Sequence, residues 1–439
     1  MEGLPRRLSL ADSVAIVIGI VIGGGIFLVP NLVARSLGSG PMILAVWAFA
    51  GVVSFFGALA CAELGAAFPA TGGQYIFLRE AYGPMAGFLC GWSSFTVARS
   101  AQVAWMAVVF ALYLGYFVPL GALAAKVVSI GAILVFAWIN YRGVHAGANV
   151  QKSFTAAKVA GAMIIIGSAF LLGKPHEAAA ASAPGFSLSS FGVALIACML
   201  AYDGWVQLSF VAGEIRDPQR NVLRALALGS AGVIVIYLLA NLAYLRVLSI
   251  PEIAGSEHVG ATAAEQVLGG AGGKLVSAII LVSILGTLNG CFLTTPRVYF
   301  AQAADGLFFG RFAEVHPRFQ TPSFAIVTQA AWAIVLVITG SYETLVDYAL
   351  FSMWLFYGLM VAGVIVLRRT QPEVARPYRM WGYPATPLLF LAIAAWFLGN
   401  MLVTRPGPAL ASLGLTATGV PVYFLWRPRA SRRVSTGHA

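Results

Sequence analysis

The chain has 439 residues, of which 59% are hydrophobic and 10% are charged, and its formal net charge is +11. Soluble domains carry about 25% charged residues, so this composition excludes an ordinary soluble enzyme and indicates a polytopic membrane protein. The basic residues form no continuous stripe but fall mostly in short loops, a distribution that reports membrane topology rather than a nucleic-acid partner.

Apolar runs of about 20 residues, taken in chain order, predict twelve membrane spans. Their approximate limits are 11–36, 41–67, 84–115, 121–139, 151–173, 190–212, 222–247, 273–303, 323–340, 344–367, 383–402 and 408–426. With the N-terminus inside, most arginines and lysines fall in inner loops. This asymmetry predicts a multi-pass protein of the cell membrane with both termini in the cytoplasm.

The spans fall into two blocks of five, 11–173 and 190–367, which are offset by about 180 residues. An odd number of spans in each block would invert the second block relative to the first. A short N-terminus, 1–10, precedes them, and two extra helices, 383–426, and a basic tail, 427–439, follow. The sequence therefore predicts an all-α membrane fold with an inverted repeat.

The first and sixth spans are interrupted. In the first, glycines 23–25 are adjacent, and each is less favourable in a helix than alanine by about 1 kcal/mol. In the sixth, residues 202–205 read Tyr-Asp-Gly-Trp and place a carboxylate and a glycine within the apolar run. Interrupted segments at matching positions of two halves predict the binding site of a secondary transporter.

Unwinding a helix at mid-membrane frees backbone groups that need partners. The N-terminus of the second half-helix offers N–H donors to an anion such as a carboxylate, and the free carbonyls of the first half suit an ammonium. Such a pair of ends matches an α-amino acid zwitterion. The alternative is that the glycines form a helix-packing face, and Gly19 with Gly23 fits that pattern.

Lys158 stands alone in an apolar stretch of the fifth span. A charged side chain at the bilayer centre costs about 2.5 kcal/mol or more on insertion scales, so Lys158 is a functional candidate. Three interpretations stay open: a fixed structural cation, a proton carrier, and a lysine that snorkels from a helix end. Lys152 lies only six residues earlier, which keeps the third interpretation open.

The sequence contains no enzyme constellation. It has no Walker pattern, its five histidines are scattered over loops and the tail, and the four cysteines fall within spans. Neither a metal site, a cofactor nor a disulfide framework is therefore expected. A channel would normally need a symmetric ring of filter residues from several subunits. An amino acid sensor with a transporter fold is a further alternative.

Several motifs together resemble the amino acid–polyamine–organocation superfamily, in particular its L-type amino acid transporter branch. The glycines 23–25 with Ile26 and Phe27 are similar to its G-[ST]-G-I-F signature. The remaining similar segments are residues 63–75, 80–84, 201–205, 214–226, 286–290, 296–297 and 304–307. The resemblance implies a fold of twelve helices with a 5+5 inverted repeat of the leucine-transporter type, broken in helices 1 and 6.

The resemblance also implies roles for individual residues. It places the substrate carboxylate on the N–H groups of Gly24, Gly25 and Ile26, and the ammonium on carbonyls near the ends of the first half-helices. The full expected substrate site is Val21, Ile22, Gly23, Gly24, Gly25, Ile26, Leu200, Ala201, Tyr202, Asp203 and Trp205. Trp205 would either shield the ligand or pack in the core, and Asp203 would either line the cavity or cap the broken helix.

Lys158 aligns with a lysine that stands where sodium-coupled relatives bind sodium. It would contact the first and eighth helices near Gly23 and Thr287 or Asn289, and Tyr237 would act near the gate. Arg99 has Glu63 as one candidate partner.

The resemblance implies sodium-independent exchange of neutral L-amino acids by alternating access, with proton-coupled symport through Lys158 as the alternative. Animal members of this branch pair with a glycoprotein through a cysteine between helices 3 and 4. Residues 116–121 contain no cysteine here, so no disulfide-linked subunit is expected. The expected partners are an amino acid substrate and the lipid bilayer.

Overall fold

The computed structural model describes residues 4–175, 187–340 and 342–425. In these ranges the regular structure is helical, and the one strand-like feature is an isolated parallel bridge between Leu8 and Ile215. A helix bonds its backbone groups internally, which hydrocarbon surroundings require. The predicted tail, 427–439, and the first three residues of the predicted N-terminus lie outside the described residues.

Nineteen α-helices follow one another between Leu10 and Ala417. They are α1 (Leu10–Val21), α2 (Gly25–Leu37), α3 (Gly40–Ala67), α4 (Gln74–Tyr82), α5 (Pro84–Ser93), α6 (Arg99–Leu114), α7 (Ala122–Tyr141), α8 (Val144–Leu171), α9 (Leu188–Ala201), α10 (Gln207–Phe210), α11 (Pro218–Val247), α12 (Ile250–Gly255), α13 (Val259–Leu268), α14 (Gly270–Thr294), α15 (Pro296–Ala304), α16 (Ser323–Thr339), α17 (Tyr342–Thr370), α18 (Ala385–Thr404) and α19 (Pro406–Ala417).

The described chain holds nine helical segments long and apolar enough to cross a membrane, or ten if the bent pair α1 and α2 counts as one span. The apolar helices α9 and α16 are shorter, with 14 and 17 residues. The all-helical polytopic fold is therefore confirmed. The count of twelve spans stays a prediction, because α9 is shorter than a full crossing and the 17 residues of α16 are at the lower limit of the spanning length.

The fifth span begins earlier than the sequence predicts. Helix α8 starts at Val144 rather than at residue 151, and it has 28 residues. Lys158 therefore lies near the middle of this helix and is fully buried. A lysine snorkels only from a position near a helix end, so the structure excludes that interpretation of Lys158.

The two interrupted segments lie against each other. Helices α1 and α2 bend by 40° at their junction. Helix α9 ends at Ala201, and a turn leads into the short α10. Gly204, in this turn, has φ +126°, and a Cβ there would lie 2.7 Å from the Ile20 side chain. Glycine is therefore required at position 204 both by the backbone conformation and by the close approach of the first break.

The chain's N-terminal segment closes the end of the bundle at which α1 begins, which we call the N-terminal face. The N–H groups of Arg7 and Leu8 both donate to the Glu214 carbonyl, at 2.8 and 2.9 Å. Glu214 also forms a fully buried ion pair with Arg297, in which Nε and Oε1 are 2.7 Å apart. This pair joins α15 to the segment that follows α10. Glu214 therefore ties two parts of the N-terminal face together, because its carboxylate binds Arg297 and its backbone carbonyl accepts from the N-terminal segment.

Candidate functional site

The first break presents free backbone donors. Among the described residues, the N–H groups of Gly24, Gly25 and Ile26 donate no hydrogen bond, whereas the Gly23 N–H donates to the Val21 carbonyl at 2.8 Å. The first N–H groups of a helix have no partner within it, and α2 begins at Gly25. These are the three groups that the resemblance assigns to a carboxylate.

A cavity of about 100 Å³ lies where the two breaks meet. The residues expected at the substrate site that line it are Val21, Gly23, Gly24, Gly25, Leu200, Ala201 and Asp203. Thr287 and the α6 residues Gln102, Trp105, Met106 and Val109 also line it. Its polar side chains are Gln102, Asp203 and Thr287, so most of the wall is apolar side chain or bare backbone.

Lys158 lies behind the first break. Its Nζ donates to the carbonyls of Gly19 and Ile22, each at 2.7 Å, and to the carbonyl of Ser283 at 2.9 Å. Gly19 belongs to the last turn of α1, Ile22 directly follows α1, and Ser283 belongs to α14. In the described chain no carboxylate oxygen lies within 4.0 Å of Nζ, so backbone dipoles alone solvate this ammonium.

The acceptors of Lys158 differ from the residues that the resemblance suggests. Lys158 contacts the first and eighth helices as expected. At the first it bonds the carbonyls of Gly19 and of Ile22, which directly precedes Gly23, and at the eighth it bonds Ser283 rather than Thr287 or Asn289. Thr287 lies one turn beyond Ser283, and its hydroxyl is 3.3 Å from the Gly19 carbonyl. Asn289 lies on another face of α14, where its amide donates to Gln151 at 2.8 Å.

Tyr237, in α11, connects the two breaks. Its hydroxyl lies 2.9 Å from the Val21 carbonyl and 3.0 Å from the Ala201 carbonyl, within hydrogen-bonding distance of both. Val21 is the last residue of α1 and Ala201 the last of α9. A single buried hydroxyl therefore meets the carbonyl ends of both first half-helices.

A family model described as amino acid permease matches residues 8–420, which is nearly the whole chain. The chain belongs to the amino acid permease family. This family lies within the amino acid–polyamine–organocation superfamily, so the resemblance is confirmed. Amino acid transport, and not enzyme catalysis, is the function class of the chain.

Three relatives illustrate this membership. The serine/threonine exchanger SteT of Bacillus subtilis is 34% identical over 98% of this chain and 98% of its own. The human b(0,+)-type amino acid transporter 1 is 32% identical over 96% of this chain and 88% of its own. The human large neutral amino acids transporter small subunit 2 is 32% identical over 96% of this chain and 80% of its own.

Tyr202 and Trp205 do not line the permease's cavity between the breaks. They line a separate small cavity on the other side of the turn, with Gly51 and Ser54 of α3. The Trp205 ring packs against Tyr357, with centroids 5.3 Å apart. The expectation that Trp205 shields the ligand therefore finds no support in this arrangement, because its ring points toward α3 and α17.

Asp203 lines the cavity and has several partners. Its carboxylate accepts a hydrogen bond from the Tyr357 hydroxyl at 2.5 Å, and the Arg99 Nη1 lies 3.9 Å from it. The Arg99 guanidinium in turn donates to Tyr357 at 2.9 Å and to Gln102 at 3.0 Å. Arg99 begins α6 directly after a π-helical turn, Ser94–Ala98, a feature frequent at functional sites.

The candidate pairing of Arg99 with Glu63 is wrong. The Glu63 carboxylate accepts from Arg368 at 2.6 and 2.8 Å and from the Met380 N–H at 2.6 Å. It ties the end of α3 to the last turn of α17 and to the segment that follows. Glu63 lies near the end of α3, whereas Arg99 begins α6 beside the cavity, so the two charges have different partners.

Sequence reasoning did not identify Gln102, Ser283 and Tyr357. Of these three residues, Gln102 was the easiest to predict from the sequence, because it follows Arg99 by three residues and therefore lies on the same face of the helix. Tyr357 and Ser283 carry no local signal. One acts through a hydroxyl about 150 residues from Asp203, and the other acts through its backbone carbonyl.

Gly25→Ala is expected to destabilise the permease by about 1–3 kcal/mol, as overpacking does. A Cβ on Gly25 would lie 2.9 Å from both the Cα and the Cβ of Ala201, and that backbone cannot yield cheaply. A Cβ on Gly24 would meet nothing closer than 3.4 Å. Thermal unfolding in detergent should therefore separate Gly25→Ala from Gly24→Ala, and equal loss in the two variants would contradict the packing argument.

Proposed function

We propose that the chain is a sodium-independent exchanger of small neutral L-amino acids that works by alternating access. The observation that carries this proposal is the meeting of both breaks at one cavity. There the free N–H groups of Gly24, Gly25 and Ile26 can bind a carboxylate. In this structure the carbonyls of Val21 and Ala201 lie within hydrogen-bonding distance of the Tyr237 hydroxyl. When the substrate enters, they can accept hydrogen bonds from its ammonium group.

Sodium independence rests on Lys158. A cation bound among the Gly19, Ile22 and Ser283 carbonyls occupies acceptors that a sodium ion would need. Two like charges a few ångströms apart repel strongly where the effective dielectric constant is low. Lys158 thus takes the place of a coupling ion, and exchange of one amino acid for another needs no ion gradient.

The cavity supports a small substrate. Its volume is about 100 Å³, and Trp105 and Met106 bound it on the α6 side. Gln102 and Asp203 are polar groups that can bond a side-chain hydroxyl, while Arg99 and Tyr357 already compensate the Asp203 charge. Alanine, serine and threonine fit these features, and the name of the Bacillus relative, a serine/threonine exchanger, agrees with them.

The proposed setting is the cell membrane, with both termini in the cytoplasm and no disulfide-linked subunit. The human relative named as a small subunit is part of a larger assembly by that name. In this chain, residues 116–121 hold no cysteine to make such a link. The domain division proposed for the chain remains two inverted blocks, 11–173 and 190–367, with helices 383–426 added.

The test is uptake of labelled serine, alanine and leucine into proteoliposomes in sodium-free buffer. Vesicles are either empty or preloaded with unlabelled amino acid, and each is assayed with and without an inward proton gradient. Exchange predicts uptake only into preloaded vesicles, with serine and alanine faster than leucine. Uptake into empty vesicles that grows with the proton gradient would instead establish symport, with Lys158 as the proton carrier. Binding without flux would indicate a sensor.

Tyr237→Phe is expected to slow exchange about threefold to tenfold. The change removes the hydroxyl near the Val21 and Ala201 carbonyls, and a typical buried hydrogen bond contributes about 0.5–1.5 kcal/mol. The measurement is the initial rate of serine exchange in preloaded vesicles.

Tyr244→Phe is the matched control for this prediction. Tyr244 lies two turns further along α11, and in the described chain its buried hydroxyl has no hydrogen-bond partner. This variant should exchange at the wild-type rate. If Tyr237→Phe exchanged serine as fast as Tyr244→Phe, the Tyr237 hydroxyl would have no role in gating.

A further inference from the structure

A third cavity lies on the outer surface of the helix bundle, away from the substrate site. It is a groove of about 340 Å³ between α7 and α16, and apolar and aromatic side chains line it. Leu134 and Trp138 form one wall, and Val327 and Ala331 form the other. Trp138 is 58% exposed and Val327 is 53% exposed, so the groove opens outward from the protein.

The groove ends at the N-terminal face. Its α7 wall runs from Leu134 to Tyr141, which is about 10 Å of helix at 1.5 Å per residue. The Thr321 hydroxyl donates to the Tyr141 carbonyl at 3.0 Å and so ties the end of α7 to the segment before α16. Arg7 contacts Gln320 in that same segment, which places this end of the groove beside the chain's N-terminal segment.

Two arginines stand at this end of the groove. Arg142 and Arg318 both lie over the Phe319 ring, with guanidinium carbons 5.4 and 5.5 Å from its centroid. Arg142 also lies 5.3 Å from the centroid of Trp138, which lines the groove. Both arginines are exposed, and within the described ranges neither has a carboxylate oxygen within 4.0 Å.

An apolar groove that faces the bilayer and ends at two uncompensated cations matches one class of molecule. Acyl chains fill apolar grooves between membrane helices, and basic pockets at the ends of such helices bind anionic headgroups. Guanidinium groups bind phosphate oxygens through paired, charge-assisted hydrogen bonds. The aromatic rings of Trp138 and Tyr141 lie at the level between these two parts, where amphipathic rings concentrate in membrane proteins.

We propose that the groove between α7 and α16 binds an anionic phospholipid. One acyl chain lies between Trp138 and Val327, and the headgroup phosphate is held by Arg142 and Arg318. The site is independent of the substrate cavity, since the two share no lining residue.

The experiment uses the full-length protein in nanodiscs of phosphatidylcholine. A small fraction of the lipid is replaced by phosphatidylglycerol with brominated acyl chains, or by the same fraction of brominated phosphatidylcholine. Bromine quenches nearby tryptophan, and the Trp138 contribution is the difference between the wild type and Trp138→Phe. If the anionic headgroup gains the attraction that about one basic residue provides, half of the Trp138 quenching should need about fivefold less brominated phosphatidylglycerol than brominated phosphatidylcholine.

Three variants distinguish a specific lipid-binding site from general attraction to a basic surface. Arg142→Gln with Arg318→Gln should quench equally with the two lipids. Arg220→Gln with Arg224→Gln removes the same charge from exposed positions at the start of α11 and should keep the preference. Ala331→Phe adds a ring at an exposed groove position and should reduce quenching by both lipids.

Three results would overturn the proposal. Equal quenching of the wild type by both lipids would mean ordinary annular contact. Equal loss of preference in both arginine double variants would mean attraction to surface charge alone. A Trp138 contribution that neither lipid quenches would mean that another protein surface, such as a second copy of the chain, covers the groove.

Discussion

Exchange is expected to fall about tenfold or more when Lys158 is replaced by methionine, which has a similar length and no charge. The three carbonyls of Gly19, Ile22 and Ser283 would lose their shared donor. Each hydrogen bond to a charged group is worth about 1.5–3 kcal/mol, and about 1.4 kcal/mol is tenfold in rate. The first break would then no longer be held against α14 in its present geometry.

Lys152→Met is the matched control, because Lys152 lies in the same helix, six residues earlier. Its side chain is 45% exposed, and its partner Asp12 keeps hydrogen bonds from the Ser9 N–H and hydroxyl. This variant should keep most of the exchange activity of the wild type. The measurement is the initial rate of serine exchange, with the amount of folded protein in the vesicles measured in parallel.

The two interpretations of Lys158 predict different responses to a proton gradient. As a fixed cation, Lys158 leaves wild-type exchange unchanged by the gradient, and Lys158→Met stays slow under all conditions. As a proton carrier, it makes wild-type uptake depend on the gradient, and the variant retains gradient-independent exchange. A Lys158→Met protein that exchanges at the wild-type rate and responds to the proton gradient as the wild type does would contradict both interpretations.

Arg297→Met is expected to cost about 3–5 kcal/mol of stability, the effect of leaving one charge of a buried pair alone. Glu214 and Arg297 are both fully buried, and the Glu214 carbonyl also receives the N–H groups of Arg7 and Leu8. The unpaired Glu214 carboxylate would therefore disturb the contacts by which the N-terminal segment closes the N-terminal face. Denaturant unfolding in detergent micelles measures the loss.

Removing both charges should recover most of this stability. Apolar side chains in place of a buried ion pair are often neutral or stabilising, so Glu214→Leu with Arg297→Met is the deciding variant. Arg220→Met controls for the generic change of arginine to methionine at an exposed position, where changes usually stay within about 0.5 kcal/mol. A double variant as unstable as Arg297→Met would show that the cost is not electrostatic.

The sequence by itself determined that this is a helical membrane protein, where its two breaks lie and that Lys158 is exceptional. These conclusions depend on energetic costs that the local sequence sets by itself. Adjacent glycines weaken a helix wherever they occur, and a lysine or aspartate in an apolar run is costly whatever surrounds it. The positions of glycines 23–25, Lys158 and Asp203 could therefore be identified before any contact was known.

Only the tertiary structure decided which partner groups offset those costs. Lys158 meets Ser283 rather than Thr287 or Asn289, Arg99 meets Tyr357 rather than Glu63, and the Trp205 ring points away from the cavity. Each of these outcomes depends on how helices distant in sequence are rotated and shifted against one another. A change of 100° per residue around a helix moves a side chain to a different neighbour, and apolar composition does not specify that rotation.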